Sequence, residues 1–270
     1  MDNTYYKENG FTLCHGDCLD IMQEIHDIDM IFADPPYFLS NGGLTIKSGK
    51  VVSVNKAEWD AREVDVDVFN YNWLKVARET LKPNGTIWIS GTVHNIYSVV
   101  RALTDLDFKI LNTIVWQKRN PPPNFSCRTF THSTELIIWA RKEKSVAHCY
   151  NYDLMKAING GKQMKDVWAF NSIQKWEKEC GKHPTQKPLS VLSRIVLSSS
   201  KKGDIILDPF CGSSTTGIAA NLFGRQFIGI DNEIRYLDLS KERFNQVKKE
   251  GCKFMEKIEG ISTQFLGLDI

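Results

Sequence analysis

The sequence predicts an α/β fold built on a doubly wound, mostly parallel sheet. Short apolar runs bounded by Gly, Pro or Asp alternate with amphipathic stretches along most of the 270 residues. This alternation is typical of strands and helices in a parallel sheet. Two of the apolar runs, DMIFAD and DIILDPF, place an aspartate where a strand would end, which is where such sheets bind ligands.

The elements follow one another in a regular order. The first half predicts the strands GFTLCHGD, DMIFAD, TIWISG, KILNTIVWQK and ELIIWARK and the helices CLDIMQEI, NYNWLKVARETLKPNG and NIYSVVRALTDLD. The second half predicts helix KPLSVLSRIVLSSS, strand DIILDPF, helix SSTTGIAANLF, strand QFIGID and a charged helix from about Glu233 to Lys249. We predict one domain over residues 1–270, in which an insert at 142–182 separates halves at 1–141 and 183–250.

Composition narrows the class of protein. A net charge of +2 and a pI near 8.1 permit a polyanionic partner without requiring one. Seven cysteines without a CxxC pair predict neither a disulfide framework nor a metal site. The chain shows no signal-peptide pattern at its start and no apolar run of membrane-spanning length, so we expect a soluble cytoplasmic protein without a membrane partner.

The stretch FADPPYFLS contains a carboxylate held by two prolines. Pro35 and Pro36 fix two successive φ angles and remove two backbone donors, which leaves the carbonyl groups of Asp34 and Pro35 as hydrogen-bond acceptors. The stretch is then a rigid acceptor platform. A plain turn that closes a strand explains the same residues, because Asp-Pro is common in turns.

A second motif lies in IILDPFCGSSTTGIAANLFGRQFIGID. A strand, a turn of small residues and a helix are followed by a strand that ends at Asp231, nineteen residues after Gly212. This spacing favours a nucleoside site in which the acid binds ribose hydroxyl groups, although an empty turn is the alternative. The turn lacks the lysine of a P-loop and has Ser214 where a dinucleotide site prefers glycine, so both ATP and NAD are disfavoured.

The two motifs together predict methyl transfer to an amine. Asp34 and Asp208 both follow strands, so one cleft at the carboxyl edge of the sheet could hold both. Two acceptors, the Asp34 carboxylate and the Pro35 carbonyl, would pull an exocyclic nitrogen toward sp³ geometry and expose its lone pair. Tyr37 would stack on a flipped base, and S-adenosylmethionine would supply the methyl group directly, without a covalent enzyme intermediate.

At this point the chain resembles the bacterial DNA amino methyltransferases, whose motifs are D-P-P-Y and D-P-F-x-G-S-G-T-T. The order of the motifs, with 34–37 before 208–216 and KHPTQKP between them, is similar to the circularly permuted beta group. ADPPYFLSNGG, NPPPNFSCRTFTHSTE and YNYDLMK resemble the companion adenine methyltransferase of Dpn-type restriction systems. The resemblance implies a Rossmann-like fold and adenine N6 methylation in GATC, on duplex and single-stranded DNA, by a monomer or homodimer paired with a restriction endonuclease.

The resemblance also implies the site residues. The catalytic ones are Asp34, Pro35, Pro36 and Tyr37, and those contacting the cofactor are Asp17, Asp34, Thr185, Lys187, Asp208, Phe210, Gly212, Ser213, Thr215 and Asp231. Asp17 could equally cap a helix, and Lys187 could be a surface charge. Ser214 replaces the second glycine of the family's loop, where a Cβ could crowd the cofactor and weaken its binding; we expect the serine to be tolerated because it is small.

Target recognition is assigned to WQKRNPPPNFSCR and its surroundings. The candidate DNA-binding residues mix charges with amides that read adenine edges: Lys118, Arg119, Asn120, Asn124, Arg128 and His132. A solvated proline-rich loop is the alternative for this stretch, and His132 could instead be structural. Basic residues within 142–182 would track a DNA backbone or form a solvated face. The stretch LSNGGLTIKSGKVVS predicts a loop that closes over the flipped base.

Other chemistries are weighed against this one. Methylation of a cytosine ring carbon is disfavoured because no Pro-Cys dipeptide supplies the nucleophile. Cytosine N4 methylation stays open, although that group's motif usually begins with serine and Asp34 therefore favours adenine. A DNA-binding homologue that has lost catalysis, and an RNA or protein amine as acceptor, are the remaining alternatives.

Overall fold

The computed structural model describes residues 3–37 and 65–261 together with two short strands between them. The strands are β1 (Thr4–Glu8), β2 (Phe11–His15), β3 (Ile28–Ala33), β4 (Leu44–Lys47), β5 (Lys50–Ser53), β6 (Leu81–Gly91), β7 (Lys109–Lys118), β8 (Thr134–Arg141), β9 (Val167–Phe170), β10 (Ile205–Asp208) and β11 (Gln226–Asp231). The α-helices are α1 (Cys18–Met22), α2 (Val66–Thr80), α3 (Ile96–Asp105), α4 (Tyr152–Ile158), α5 (Leu189–Ser199), α6 (Thr215–Leu222) and α7 (Ile234–Lys257).

Nine of these strands form one sheet in the order β1-β2-β11-β10-β3-β6-β8-β7-β9. The run from β2 to β6 is parallel throughout, whereas β1 and β8 are antiparallel to their neighbours. The last two strands in the sequence, β10 and β11, lie between β2 and β3 in the sheet. The predicted mostly parallel sheet is therefore confirmed.

Helices cover both faces of the sheet because alternate strand residues are apolar on both sides. Along β3, Met30 and Phe32 pack into the core beneath α5, α6 and α7, and Ile31 and Ala33 pack into the core beneath α1, α2 and α3. All four side chains are almost fully buried. This alternation makes the fold doubly wound.

Some boundaries differ from the prediction. Helix α2 ends at Thr80, and the chain is already extended at Leu81, which pairs with Ile28. The restriction that Pro83 places on its preceding residue favours this early extension. Helix α7 continues to Lys257 after non-helical geometry at Glu250. The sequence prediction missed β1, an edge strand with a mostly exposed pattern.

The segment 142–182 does not stand apart from the sheet. It contains α4, a 3₁₀ turn at Trp176–Lys178, and β9, which pairs parallel with β7. Helix α4 contacts α5. Across the described residues, no helix has the length and apolar character needed to cross a membrane.

Candidate active site

A cavity of about 380 Å³ opens at the carboxyl ends of the central parallel strands. Residues at or just beyond the ends of β2, β3, β10 and β11 line it, together with residues from the segment before α5. The lining includes all ten residues predicted to contact a cofactor: Asp17, Asp34, Thr185, Lys187, Asp208, Phe210, Gly212, Ser213, Thr215 and Asp231. Of the predicted catalytic residues Asp34 and Pro36 line the cavity, while the buried Pro35 and the half-buried Tyr37 are not among its lining residues.

The turn after β10 is shaped by Asp231 at the end of β11. The two Asp231 carboxylate oxygens accept the backbone N–H groups of Gly212, at 2.9 Å, and Glu233, at 2.8 Å. Gly212 has φ +50°, and a Cβ built on it would lie 3.0 Å from the His183 ring, so glycine suits this position. Burial raises the pKa of Asp231 to about 6. The acid thus fixes the turn that forms one wall of the cavity.

Ser214, the serine expected to be tolerated in this turn, is not among the residues that line the cavity. Its side chain is fully buried. Its backbone instead has φ 52° and ψ 42°, the left-handed conformation that glycine adopts without steric cost. Serine in place of glycine therefore strains the backbone of the turn and does not reduce the volume of the cavity.

Asp208 is a buried acid at the end of β10. It accepts the backbone N–H of Phe210 at 3.1 Å and the hydroxyl of Thr216 at 2.6 Å. Burial raises the pKa of Asp208 to about 7. Asp208 therefore links the strand end, the turn and the first turn of α6 through one side chain.

Asp17 and Phe210 also line the cavity. Asp17 accepts the N–H of Leu19 at 2.8 Å, so it is the N-cap of α1 while also lining the cavity, and the two sequence interpretations hold together. The Phe210 ring packs edge-on against Trp73, with the centroids 5.4 Å apart. An apolar, aromatic surface beside an acid suits a nucleoside base.

Asp34, Tyr37 and Lys187 form a close cluster at the end of β3. Asp34 Oδ1 accepts the Tyr37 hydroxyl at 2.5 Å, and Asp34 Oδ2 lies 2.5 Å from Lys187 Nζ. Burial, together with the Asp34 charge, raises the pKa of Tyr37 well above its usual range. Although burial opposes it, the Asp34 charge raises the pKa of Lys187 well above 10.5. The structure thus excludes Lys187 as a surface charge, because its side chain is only 10% exposed.

Glu135 is a functional candidate that the sequence prediction missed. This residue, near the start of β8, lies 3.6 Å from Lys187 Nζ through Oε2 and 2.6 Å from Lys118 Nζ through Oε1. Burial opposes the effect of these two lysines, which lower the pKa of Glu135. An acid at the start of an apolar strand was the available signal, since buried charges are normally paired.

Buried polar groups hold the segment that carries Lys187. Glu177 accepts the N–H of Leu189 at 2.7 Å at the start of α5, and its backbone carbonyl accepts the Gln186 amide at 2.9 Å. From α7, Arg243 donates to the Ser213 carbonyl and to the Thr215 hydroxyl. Both sides of the cavity are therefore braced by side chains outside the two motifs.

The end of β7 and the loop between β7 and β8 carry the predicted DNA-binding residues, which the structure separates into two groups. Three have partners within the protein: Lys118 pairs with Glu135, Arg119 pairs with Glu259, and the side-chain Oδ1 of Asn120 accepts the Ser172 N–H. Asn124 also bonds within the loop, to Ser126 and Thr129. Arg128 and His132 are exposed, as is Phe130 at 97%. The amide of Asn124 thus shapes the loop, and its role in reading bases stays a prediction.

The predicted closing loop, 39–53, lies outside the described residues except for the paired strands β4 and β5.

Comparison with known proteins places this site in a family. A family model described as DNA methylase, for the N6 and N4 methyltransferases, matches residues 28–242. This chain belongs to the DNA methylase family. Type II methyltransferase M2.MboI of Moraxella bovis is 56% identical over 244 residues, which are 89% of this chain and 89% of that protein. M2.DpnII of Streptococcus pneumoniae is 56% identical over 90% of this chain and 92% of its own length.

Solved structures agree with the family assignment. The methylase shares its fold with M1.HpyAVI in complex with SAM, at TM-score 0.67 and 27% identity over 87% of this chain and 99% of that one. It also resembles the PvuII cytosine-N4-specific DNA methyltransferase, at TM-score 0.71 and 17% identity over 90% of this chain and 89% of that one. The predictions of a DNA methyltransferase that uses S-adenosylmethionine, related to the Dpn-type enzymes, are confirmed at the level of the family.

Proposed function

We propose that this methylase transfers a methyl group from S-adenosylmethionine to the N6 amine of adenine in GATC. The observation that carries the proposal is that Asp34 and Asp231 line one cavity, so an amine acceptor and a nucleoside site share a single space. The relatives named M2.MboI and M2.DpnII support a methyltransferase of the restriction-modification kind. The GATC target rests on the Dpn-type resemblance.

The residues around the cavity suit S-adenosylmethionine. Asp231 offers acceptors for ribose hydroxyl groups, and Asp17 with Phe210 offers a polar and an aromatic contact for adenine. The acidic lining from Asp208 and Asp231 also suits a ligand that carries a sulfonium charge. When bound, the cofactor supplies an activated methyl group. Ser213, Thr215 and Thr185 would contribute hydroxyl groups at the remaining walls.

Asp34 would act as a hydrogen-bond acceptor for the target amine. The amine nitrogen shares its lone pair with the base ring, and bonds from its N–H groups to Asp34 and to the Pro35 carbonyl would localise that pair for attack. The proton leaves the nitrogen once the new C–N bond gives it positive charge, and Asp34 is placed to receive it. Pro36 and Tyr37 would wall the flipped base, and Tyr37 would stack on it.

The motif's first residue favours adenine over cytosine. The Dpn-type resemblance gives Asp34 to the adenine enzymes, while the group that modifies cytosine N4 usually has serine there. The PvuII enzyme, which shares the fold, is cytosine-N4-specific, so the fold by itself does not favour adenine. Cytosine N4 is therefore the second candidate product.

The proposal also covers the DNA substrate, the role of each part of the chain and the work of the enzyme in the cell. DNA in duplex and single-stranded form would be the substrate, bound at the loop between β7 and β8 and at basic residues of 142–182, the proposed target-recognition region. Residues 1–141 and 183–250 would supply catalysis and cofactor binding. The enzyme would work in the cytoplasm as a monomer or homodimer and would protect DNA from a partner restriction endonuclease.

A single assay tests this function. Labelled S-adenosylmethionine is incubated with the protein and with duplex or single-stranded oligonucleotides that contain or lack GATC, and the product nucleosides are separated. We expect N6-methyladenine in GATC substrates alone. Label on N4-methylcytosine would replace the proposal by its second candidate, and label in adenine elsewhere would overturn the GATC target.

A further inference from the structure

Four largely buried charged side chains of alternating sign form a row from Asp34 to Lys118, at the end of β7. Asp34, Lys187, Glu135 and Lys118 follow one another with contacts of 2.5, 3.6 and 2.6 Å. Their side chains are between 10% and 19% exposed. Because two carboxylates and two ammonium groups balance, the row is neutral, and each inner charge has an opposite charge on both sides.

The position of Lys187 conflicts with the proposed work of Asp34. The ammonium lies 2.5 Å from Asp34 Oδ2, and the Tyr37 hydroxyl occupies Oδ1. Each oxygen thus already accepts one hydrogen bond, and the ammonium neutralises the charge that would attract a further donor, although a carboxylate retains lone pairs for it. A target amine would therefore compete with the ammonium at Oδ2 and bind Asp34 more strongly once the ammonium has moved away.

Moving a buried ammonium away from its nearest counterion is costly unless a second carboxylate receives it. Leaving such a charge unpaired would raise the barrier of the reaction, because a buried ion pair that loses one partner is strongly destabilised. Glu135 Oε2 lies 3.6 Å from the same ammonium, on the side away from Asp34 in the row of charges. A shift of about 1 Å would bring the ammonium into direct contact with this second carboxylate.

We propose that Glu135 is a positioning residue that receives the Lys187 ammonium when the target amine reaches Asp34. Lys187 thus neutralises Asp34 in the empty site and releases it in the loaded one. Lys118, at 2.6 Å from the other Glu135 oxygen, keeps Glu135 ionised and in place. The inference rests on the proposed function, because it concerns the arrival of an amine at Asp34.

The test begins with Glu135→Gln, which keeps the shape of the side chain and removes its charge. We expect kcat for methyl transfer to fall roughly ten- to a hundredfold, in line with the effect of small misplacements at reacting centres. The dissociation constant for S-adenosylmethionine and the KM for DNA should stay near wild type, whereas the thermal midpoint should fall because Lys118 loses its carboxylate partner, so activity is assayed well below that midpoint. Glu256→Gln, on the exposed side of α7, is the matched control for the chemical change.

A double-mutant cycle with Lys187→Gln separates positioning from a merely structural role. If Glu135 acts through Lys187, Glu135→Gln will cost nothing more once Lys187→Gln is present. The proposal would be overturned if the fold-losses in kcat of Glu135→Gln and Lys187→Gln multiplied in the double variant. It would also be overturned if Glu135→Gln were non-additive with Lys118→Gln instead of with Lys187→Gln. The wild-type protein in the same assay tests the proposed function separately. If the wild type does not methylate adenine, the proposed function fails, whatever the variants do.

A structure of the wild-type enzyme with a GATC oligonucleotide and S-adenosylhomocysteine gives a readout that does not depend on turnover. The proposal expects Lys187 Nζ within hydrogen-bond distance of Glu135 and the adenine amine on Asp34. An ammonium still 2.5 Å from Asp34 Oδ2, with the amine in place, would overturn it.

Discussion

Ser214 carries a side chain in a backbone conformation that favours glycine. Left-handed geometry costs a residue with a Cβ about 1 kcal/mol, and the side chain does not line the cavity. We predict that Ser214→Gly raises the free energy of unfolding by up to about 1 kcal/mol and leaves cofactor affinity unchanged. Denaturant unfolding and calorimetric titration with S-adenosylmethionine measure the two quantities.

The control for this substitution is Ser193→Gly in the buried middle of α5. There glycine should destabilise the protein by about 1 kcal/mol, because it loses more backbone entropy in a helix. A Ser214→Gly protein that bound the cofactor markedly more tightly than wild type would show that the serine does crowd the ligand.

The raised pKa of the buried Asp208 should make the free energy of unfolding decrease with rising pH. Since burial raises its pKa from 3.8 to about 7, the folded protein holds a proton that the unfolded chain has lost. This contribution to stability is complete below pH 3.8 and disappears as the pH rises through about 7. Relative to Asp208→Asn, the ligand-free wild type should therefore lose stability as the pH rises from 5 to 8, by up to about 3 kcal/mol, since about two pH units of that range lie below the folded pKa and each contributes about 1.4 kcal/mol.

Urea unfolding of both proteins at several pH values measures that difference, in which the other titrating groups cancel. A difference that stayed constant across the range would mean that Asp208 is ionised in the folded protein throughout.

The loop between β7 and β8 is an element with an internal brace and an exposed aromatic tip. Asn124 bonds to Ser126 and Thr129, while Phe130 is 97% exposed beside the strand that carries Glu135. Base stacking on an aromatic side chain is worth about 1–3 kcal/mol. We predict that Phe130→Ala weakens DNA binding about tenfold or more and leaves cofactor binding intact.

Fluorescence anisotropy of a labelled oligonucleotide at several salt concentrations measures this effect. The slope of affinity against salt should not change, because no charge is removed. Tyr97→Ala, which removes an exposed aromatic ring on α3, is the control. Equal losses in both variants, or none in either, would contradict a role for the loop tip.

Elements and motifs differ in how far the sequence reveals them. The acids Asp34, Asp208 and Asp231 were predictable because each ends or follows an apolar strand, and parallel strands bring their carboxyl ends to one edge. Thr185 and Lys187, by contrast, were implied by the family resemblance. Glu135 was missed because the one local signal, an acid at the start of an apolar strand, does not reveal its partner Lys187 in a different segment. The edge strand β1 was missed because its exposed residues carry no apolar alternation.

For the whole molecule, catalysis and cofactor binding should be separable. Asp34 contacts Tyr37 and Lys187, whereas the turn at 209–214 is held by Asp231, Asp208 and Arg243. We predict that Asp34→Ala abolishes methyl transfer and still binds S-adenosylmethionine. At a ligand concentration about 100 times the dissociation constant, both proteins should gain about 2.7 kcal/mol of stability.

Thermal unfolding with and without the cofactor, alongside the labelled methyl assay, tests this separation. An Asp34→Ala protein with near-normal activity would refute the proposed acceptor role. A variant that no longer gains stability from the cofactor would show that the two functions share Asp34.

The place of β10 and β11 in the sheet has a consequence for how the protein is made. During synthesis, β2 and β3 leave the ribosome long before the two strands that separate them, so the nascent sheet has a gap two strands wide. The facing edges of β2 and β3 stay unpaired until residues 205–231 emerge. Such edges invite wrong pairing, and contacts of this sequence separation form slowly. We therefore expect folding of this methylase to be completed only after most of the chain has been translated. Until then, we expect chaperones to bind the unpaired edges of β2 and β3.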